Sequence, residues 1–125
     1  MKPVILVVED NERNRKLVRT VLEFRGYEVV ECDDGEPALE LARKHRPVLV
    51  LMDIQLPKVN GVEALARLRA DPDTKAIPVV AVTASVTPTE RERVVAAGFN
   101  GYISKPIEVE TFGAMVDKAI GKEAA

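Results

Sequence analysis

The chain has 125 residues, with 18 Lys and Arg against 20 Asp and Glu, which gives a formal net charge of −2. This length fits one domain with its own core, and the balanced charge argues against recruitment to nucleic acid by a basic surface. Cys32 is the single cysteine, which excludes an intramolecular disulfide and fits a reducing compartment. No apolar run is long enough for a membrane span or a signal-peptide core. We therefore expect a cytoplasmic protein with one domain over residues 1–125, of which residues 121–125 form a frayed tail.

Five short runs are candidate strands. Residues 4–8, 48–52 and 79–82 are apolar throughout and rich in β-branched side chains. Such runs are typical of strands buried on both faces of a parallel sheet. Residues 27–32 and 101–104 mix apolar with polar side chains, which suits the edges of the same sheet.

Helical patterns follow each of these runs. The first repeats apolar residues over 17–22, the second begins near Pro37, and Asn60 precedes the third. Thr87 and the proline after it open the fourth, and the fifth starts near Glu108. The apolar stripes predicted for the third and fifth helices are Val62, Leu65 and Leu68, and Val109, Phe112, Val116 and Ile120. Alternating strands and helices predict an α/β fold, a flavodoxin-like doubly wound five-stranded parallel sheet in the order 2-1-3-4-5 with five helices.

Polar side chains collect where the predicted strands end. Glu9 and Asp10 follow the first strand and Asp53 follows the third, so these carboxylates should meet in one crevice. Raised pKa values or a cation must relieve their repulsion, and oxygen-only ligands favour Mg²⁺. Thr83 and Lys105, at the ends of the fourth and fifth strands, add a hydroxyl donor and a positive charge. Such a set suits a phosphoryl group carried on a carboxylate.

Four stretches that span the chain carry a resemblance to a known family: ILVVEDN, LVLMDIQLPKVNG, IPVVAVTA and GYISKPI. The sequence resembles a response-regulator receiver domain of bacterial two-component signalling. Within that family, MDIQLP and YISKPI are most similar to stand-alone regulators of cell division and polarity and to the receivers of hybrid kinases.

The resemblance assigns roles to the acidic residues. It implies that Asp53 is the phospho-acceptor and that Asp10 is a direct Mg²⁺ ligand. It also implies that Glu9 acts on the ion through water and that the backbone carbonyl of Gln55 is a further ligand.

The resemblance assigns roles to the last two strand ends as well. Thr83 and Lys105 would bind phosphoryl oxygens, and Tyr102 would be the aromatic switch residue. A cis peptide bond between Lys105 and Pro106 is also expected, because it would aim the lysine into the crevice.

These roles predict a phospho-accepting signalling switch that catalyses only its own phosphorylation and dephosphorylation. The phosphodonor would be a sensor histidine kinase or a histidine phosphotransfer protein. The downstream protein would bind the face formed by helix 4, strand 5 and helix 5, where Arg91, Val95, Glu108 and Phe112 should lie near Tyr102. We expect neither direct nucleic-acid binding, since no helix-turn-helix segment follows residue 125, nor membrane insertion.

Alternatives remain open from the residues alone. A small Mg²⁺-dependent phosphohydrolase with an aspartyl-phosphate intermediate usually has a second Asp two residues after the nucleophile, where this chain has Gln55. A flavin-binding protein of this fold would need a loop rich in Ser, Thr and Gly after the first strand, where this chain reads Glu-Asp-Asn-Glu-Arg. The basic residues of the first helix are equally consistent with a solvated face and with a kinase-docking surface: Arg13, Arg15, Lys16 and Arg19.

Overall fold

The structure, a computed structural model of the chain, describes residues 2–84 and 87–120. The predicted tail at 121–125 lies outside the described residues. The strands are β1 (Val4–Val8), β2 (Glu28–Cys32), β3 (Leu49–Asp53), β4 (Val79–Thr83) and β5 (Gly101–Ser104). The helices are α1 (Glu12–Phe24), α2 (Ala38–His45), α3 (Gly61–Ala70), α4 (Pro88–Ala97) and α5 (Val109–Ile120).

The strands form one parallel sheet in the order β2-β1-β3-β4-β5, which confirms the predicted fold. The three apolar strands occupy its centre, and the two mixed strands lie at its edges. β2 pairs with one edge of β1, and β3 pairs with the opposite edge. The carboxyl ends of β1 and β3 therefore flank the crevice where ligands bind in sheets of this kind.

Two core layers lie on opposite faces of the sheet, because successive side chains of a strand point in opposite directions. Leu6 and Val8 of β1 pack in the layer that includes buried residues of α2, α3 and α4. Ile5 and Val7 pack in the other layer, with buried residues of α1 and α5. The continuous apolar runs of the central strands supply both layers at once.

Side-chain caps set the starts of three helices. Asn11, Asn60 and Thr87 each accept a hydrogen bond from the backbone N–H three residues further on, at 3.0, 2.9 and 3.2 Å. These bonds satisfy donors that have no partner within a helix. The predicted starts of α3 at Asn60 and of α4 at Thr87 are confirmed. The third capped helix, α1, begins shortly after β1 ends at the crevice.

The boundaries of three strands differ from the predicted ones by one residue. β2 begins at Glu28, β3 covers 49–53 rather than 48–52, and β4 extends to Thr83. Asp53 pairs with Val82 and Thr83 pairs with Ser104 in the sheet ladder. Ladder hydrogen bonds are made by the backbone and do not require an apolar side chain, so these two polar residues end their strands rather than follow them.

Two residues of the predicted helical stripes are not buried. Val62 is 45% exposed and Val109 is 54% exposed. Both lie in the first turn of a helix, where the stripe extends beyond the packed layer. The other predicted stripe residues of α3 and α5 are buried or partly buried: Leu65, Leu68, Phe112, Val116 and Ile120. Among the helices in residues 2–84 and 87–120, none has both the length and the apolarity needed to cross a membrane.

Candidate functional site

Three carboxylates meet at the carboxyl edge of the sheet. Glu9 and Asp10 lie just after β1, and Asp53 is the last residue of β3. One oxygen from each side chain lies within 4.8 Å of the other two. Glu9 and Asp53 are 3% and 6% exposed, whereas Asp10 faces solvent. The predicted convergence is therefore present, with two of the carboxyl groups buried and the third at the surface.

Lys105 supplies the nearest positive charge. Its Nζ lies 2.7 Å from Oδ2 of Asp53 and 2.9 Å from Oε1 of Glu9. Its backbone N–H donates to the carbonyl of Thr83 at 2.8 Å, which ties the end of β5 to the end of β4. The Lys105–Pro106 bond is cis, as predicted. One ammonium therefore bridges two buried carboxylates that come from different strands.

Burial dominates the electrostatics of Glu9. It raises the pKa of this carboxyl from 4.5 to about 7, although the hydrogen bonds from Lys105 and from the Asn11 N–H act in the opposite direction. Burial also lowers the pKa of Lys105, but its hydrogen bonds with Asp53 and Glu9 outweigh this effect and leave the pKa raised. Lys105 therefore stays cationic near neutral pH, and Glu9 gains a proton on mild acidification.

The Asp53 carboxylate is held at both of its oxygens. Oδ1 accepts the backbone N–H of Gln55 at 3.0 Å, and Oδ2 accepts from Lys105. The carboxylate opens onto a cleft of about 440 Å³. The residues that line this cleft are Asp10, Asn11, Asn14, Asp53, Gln55, Thr83, Ala84 and Lys105. Every predicted acceptor, metal and phosphoryl-binding residue except the buried Glu9 therefore faces one opening.

The donor set fits a hard divalent cation. All of its members are carboxylates, and their oxygens lie close enough together for one ion to contact them. Ions such as Mg²⁺ prefer oxygen ligands and retain several waters, which the exposed side of Asp10 permits. Within residues 2–84 and 87–120, this is the only group of three or more possible metal ligands.

Tyr102 lies on β5, on the α4 side of the sheet. It is half-buried against the layer of α2, α3 and α4, and the Arg91 guanidinium lies over its ring, 5.4 Å from the centroid. Val95 and Glu108 are exposed. Phe112 is only 1% exposed and packs in the opposite layer, so its prediction as part of this surface is wrong. The apolar stripe of α5 turns Phe112 towards the sheet instead of towards Tyr102.

One residue that contacts the loop after Asp53 was not identified from the sequence. Asp34 is a buried carboxylate that accepts hydrogen bonds from the N–H groups of Gly35, Lys58 and Val59. An Asp-Gly pair after a strand indicates a turn, but it carries no information on a partner more than twenty residues away. The pairing of Lys105 with Glu9 was also not predicted.

Comparisons with known proteins agree with this geometry. Residues 5–117 match the family model for the response regulator receiver domain. The chain is 46% identical over 121 residues to the polar-differentiation response regulator DivK of Brucella anthropi, covering 97% of this chain and 98% of that protein. DivK of Brucella ovis is 45% identical over the same coverage.

Solved structures show the same fold. The receiver domain of the sensor histidine kinase PA1611 from Pseudomonas aeruginosa PAO1 is 32% identical, with a TM-score of 0.88 over 97% of this chain and 99% of that one. That structure has a magnesium ion coordinated in its active site cleft. The chemotaxis protein CheY4 of Vibrio cholerae is 28% identical, with a TM-score of 0.89 over 95% of this chain and 99% of that one.

Proposed function

We propose that this chain, which belongs to the family of response regulator receiver domains of two-component signalling, is a switch that accepts a phosphoryl group on Asp53. The donor is a cytoplasmic histidine kinase or histidine phosphotransfer protein. The observation that supports this most is the position of Asp53, which ends β3 between the Lys105 ammonium and two further carboxylates. A carboxylate that lines an open cleft can be reached by a donor group on another protein.

In the proposed transfer, an oxygen of the Asp53 carboxylate attacks the phosphorus atom. The new O–P bond makes a mixed anhydride, and the bond between phosphorus and the donor imidazole nitrogen breaks. The other ring nitrogen of the donor carries a proton, so the departing nitrogen keeps the electron pair and the donor leaves as neutral imidazole. Lys105, already within 2.7 Å of Asp53, then pairs with a phosphoryl oxygen, and the Thr83 hydroxyl at the end of β4 donates to another.

The acidic residues would hold Mg²⁺ beside the acceptor. Asp10 and Asp53 would bind it directly, together with the backbone carbonyl of Gln55, and Glu9 would bind through water. When bound, the ion neutralises negative charge that accumulates on the phosphoryl group. Lys105 pairs with both Glu9 and Asp53, which offsets part of the repulsion between these two buried carboxyl groups.

Labelling with a small acyl phosphate tests the acceptor. In the presence of Mg²⁺, mass spectrometry should show one added phosphoryl group on the wild-type chain. The Asp53→Asn variant should show none, because an amide oxygen is not nucleophilic enough to attack. The matched control is Asp33→Asn, which removes an exposed carboxylate beyond β2 and should be labelled like the wild type. Normal labelling of the Asp53 variant would refute the assignment.

The proposed output surface is the face formed by α4, β5 and α5. Once Asp53 carries a phosphoryl group, a movement of Thr83 towards it vacates space near Tyr102, and the ring turns inward. The Arg91 guanidinium lies over that ring, so its contact with Tyr102 changes when the ring turns. Exposed Val95 and the charged residues around it give a mixed surface that suits a protein partner.

Thr83→Ala tests this coupling. The variant should still accept a phosphoryl group, but the chemical shifts of amides 90–112 should change far less than in the wild type when a phosphoryl mimic binds. Binding of the downstream partner should lose its dependence on phosphorylation. A Thr83→Ser variant keeps the hydroxyl and should switch normally. Full switching by the alanine variant would contradict the coupling route and leave the acceptor assignment intact.

A further inference from the structure

Asp34 is a buried carboxylate outside the acidic cluster. It lies in the turn after β2 and is 7% exposed. Its Oδ1 accepts three backbone N–H groups, from Gly35 at 2.8 Å, Val59 at 3.0 Å and Lys58 at 3.2 Å. Hydrogen bonds to an ionised acceptor are stronger than neutral ones. A single oxygen therefore joins the β2–α2 turn to the loop that links β3 with α3.

Gly35 shows how closely the two segments approach. Its N–H also donates to the carbonyl of Val59 at 3.2 Å. A Cβ atom added at Gly35 would lie 2.3 Å from that carbonyl oxygen, so this contact requires a residue without a side chain. The turn and the loop therefore meet backbone to backbone, with the carboxylate of Asp34 beside the contact.

The loop held in this way begins at the phospho-acceptor. Residues 54–60, here called the β3–α3 loop, lead from Asp53 to α3. The Gly61 N–H, just after the loop, donates to the carbonyl of Ile54, its first residue, at 2.8 Å. Just after Asp53, the N–H of Gln55 donates to the acceptor carboxylate. The bond between Gly61 and Ile54 joins the two ends of the loop, and Asp34 holds its C-terminal half at Lys58 and Val59. Gln55 lies in the segment between Ile54 and this second attachment.

The charge of Asp34 is stable near neutral pH. Burial raises the pKa of this carboxyl, but the N–H groups of Val59, Gly35 and Lys58 outweigh burial and hold the pKa below its ordinary value. The carboxylate thus remains a fully ionised acceptor under the conditions in which the site would bind a cation.

We infer that Asp34 is a positioning residue for the site: by holding the β3–α3 loop, it places the Gln55 carbonyl and thereby sets the affinity for Mg²⁺. This inference rests on the proposed function, in which that carbonyl is a ligand of the ion. Residues that orient a metal ligand typically change affinity by ~10–100-fold when they are lost.

Titration with Mg²⁺, followed by the amide chemical shifts of Asp10 and Gln55, tests the inference without any phosphodonor. Asp34→Ala should weaken Mg²⁺ binding by ~10-fold, because the loop loses three hydrogen bonds. Asp34→Asn retains an Oδ1 acceptor and should stay close to the wild type. The control is Asp33→Ala, which removes the same charge one residue earlier from an exposed side chain and should have little effect.

Phosphorylation kinetics provide the second readout. With a small acyl phosphate, Asp34→Ala should need more Mg²⁺ for half-maximal rate and should approach the wild-type rate at saturation. Equal Mg²⁺ affinity of Asp34→Ala and wild type, or an equal loss in Asp33→Ala, would overturn the inference. If Asp34→Ala does not fold, Gly35→Ala tests the same attachment, because its Cβ would lie 2.3 Å from the Val59 carbonyl oxygen and force the turn and the loop apart. This variant should also weaken Mg²⁺ binding, and an unchanged affinity would overturn the inference. If the Mg²⁺ affinities of the wild type and the variants follow the expected order while the wild-type chain accepts no phosphoryl group, the proposed function fails and the role of Asp34 in Mg²⁺ binding stands.

Discussion

Glu9 should make the domain less stable as the pH rises from about 4.5 to about 7. Its pKa is raised from 4.5 to about 7 in the folded chain, chiefly by burial. The unfolded chain therefore releases this proton at a lower pH than the folded chain does. The stabilising contribution is complete below pH 4.5 and is lost as the pH rises through about 7.

The magnitude follows from the two pKa values. Since one pKa unit corresponds to ~1.4 kcal/mol, the change from 4.5 to about 7 lowers the free energy of unfolding by ~3 kcal/mol at high pH. That figure already includes the ion pair with Lys105, because the pairing opposes the rise in pKa. For a domain of ordinary stability, this is a large fraction of the total.

The Glu9→Gln variant should remove this pH dependence. Glutamine has the shape of protonated glutamic acid, so the two proteins should have similar stability near pH 4.5 in the absence of divalent cations. At about pH 8, the variant should be more stable by up to ~3 kcal/mol. Urea denaturation at several pH values measures the free energy of unfolding of each protein.

A Glu36→Gln variant serves as the control, because Glu36 is an exposed carboxylate outside the cluster. It should follow the wild-type pH profile. If Glu9→Gln and wild type differ by a constant amount from pH 4.5 to 8, burial of the charged Glu9 carboxylate does not govern stability here, and the reasoning is refuted.

Three further outcomes are expected. Millimolar Mg²⁺ should raise the thermal midpoint of the wild type, and Asp10→Ala should respond much less, because the ion binds only the folded cluster; an equal response would place the metal elsewhere. Tyr27→Phe should lose ~1 kcal/mol of stability in urea denaturation, because the buried Tyr27 hydroxyl donates to Asp117; an unchanged midpoint would show that this bond contributes nothing net. Gly61→Ala should lose ~2 kcal/mol or more, because its Cβ would lie 2.4 Å from the Asp53 carbonyl oxygen, and a neutral effect would mean that the loop yields freely.

The sequence by itself determined the architecture, because the signals for it are local. The apolar runs of β1, β3 and β4 identify buried parallel strands without knowledge of any partner. Capping residues such as Asn60 and Thr87 act on N–H groups three residues away. Parallel strands bring their carboxyl ends to one edge, so the meeting of Asp10 with Asp53 also follows from strand order.

The tertiary structure decided which surfaces are covered and which distant groups pair. Val62 and Val109 fit a helical stripe in the sequence, yet the packed layer does not reach them. Phe112 and Tyr102 lie on opposite faces of the sheet, a distinction made by the direction in which α5 approaches it.

The same holds for the electrostatics of the site. Lys105 pairs with Glu9, although most of the sequence separates the two residues. Asp34 likewise accepts hydrogen bonds from N–H groups more than twenty residues further along the chain. The raised pKa of Glu9 comes chiefly from burial, which no local pattern encodes. Backbone periodicity and capping act over a few residues, whereas burial and charge pairing depend on groups that only the completed fold brings together.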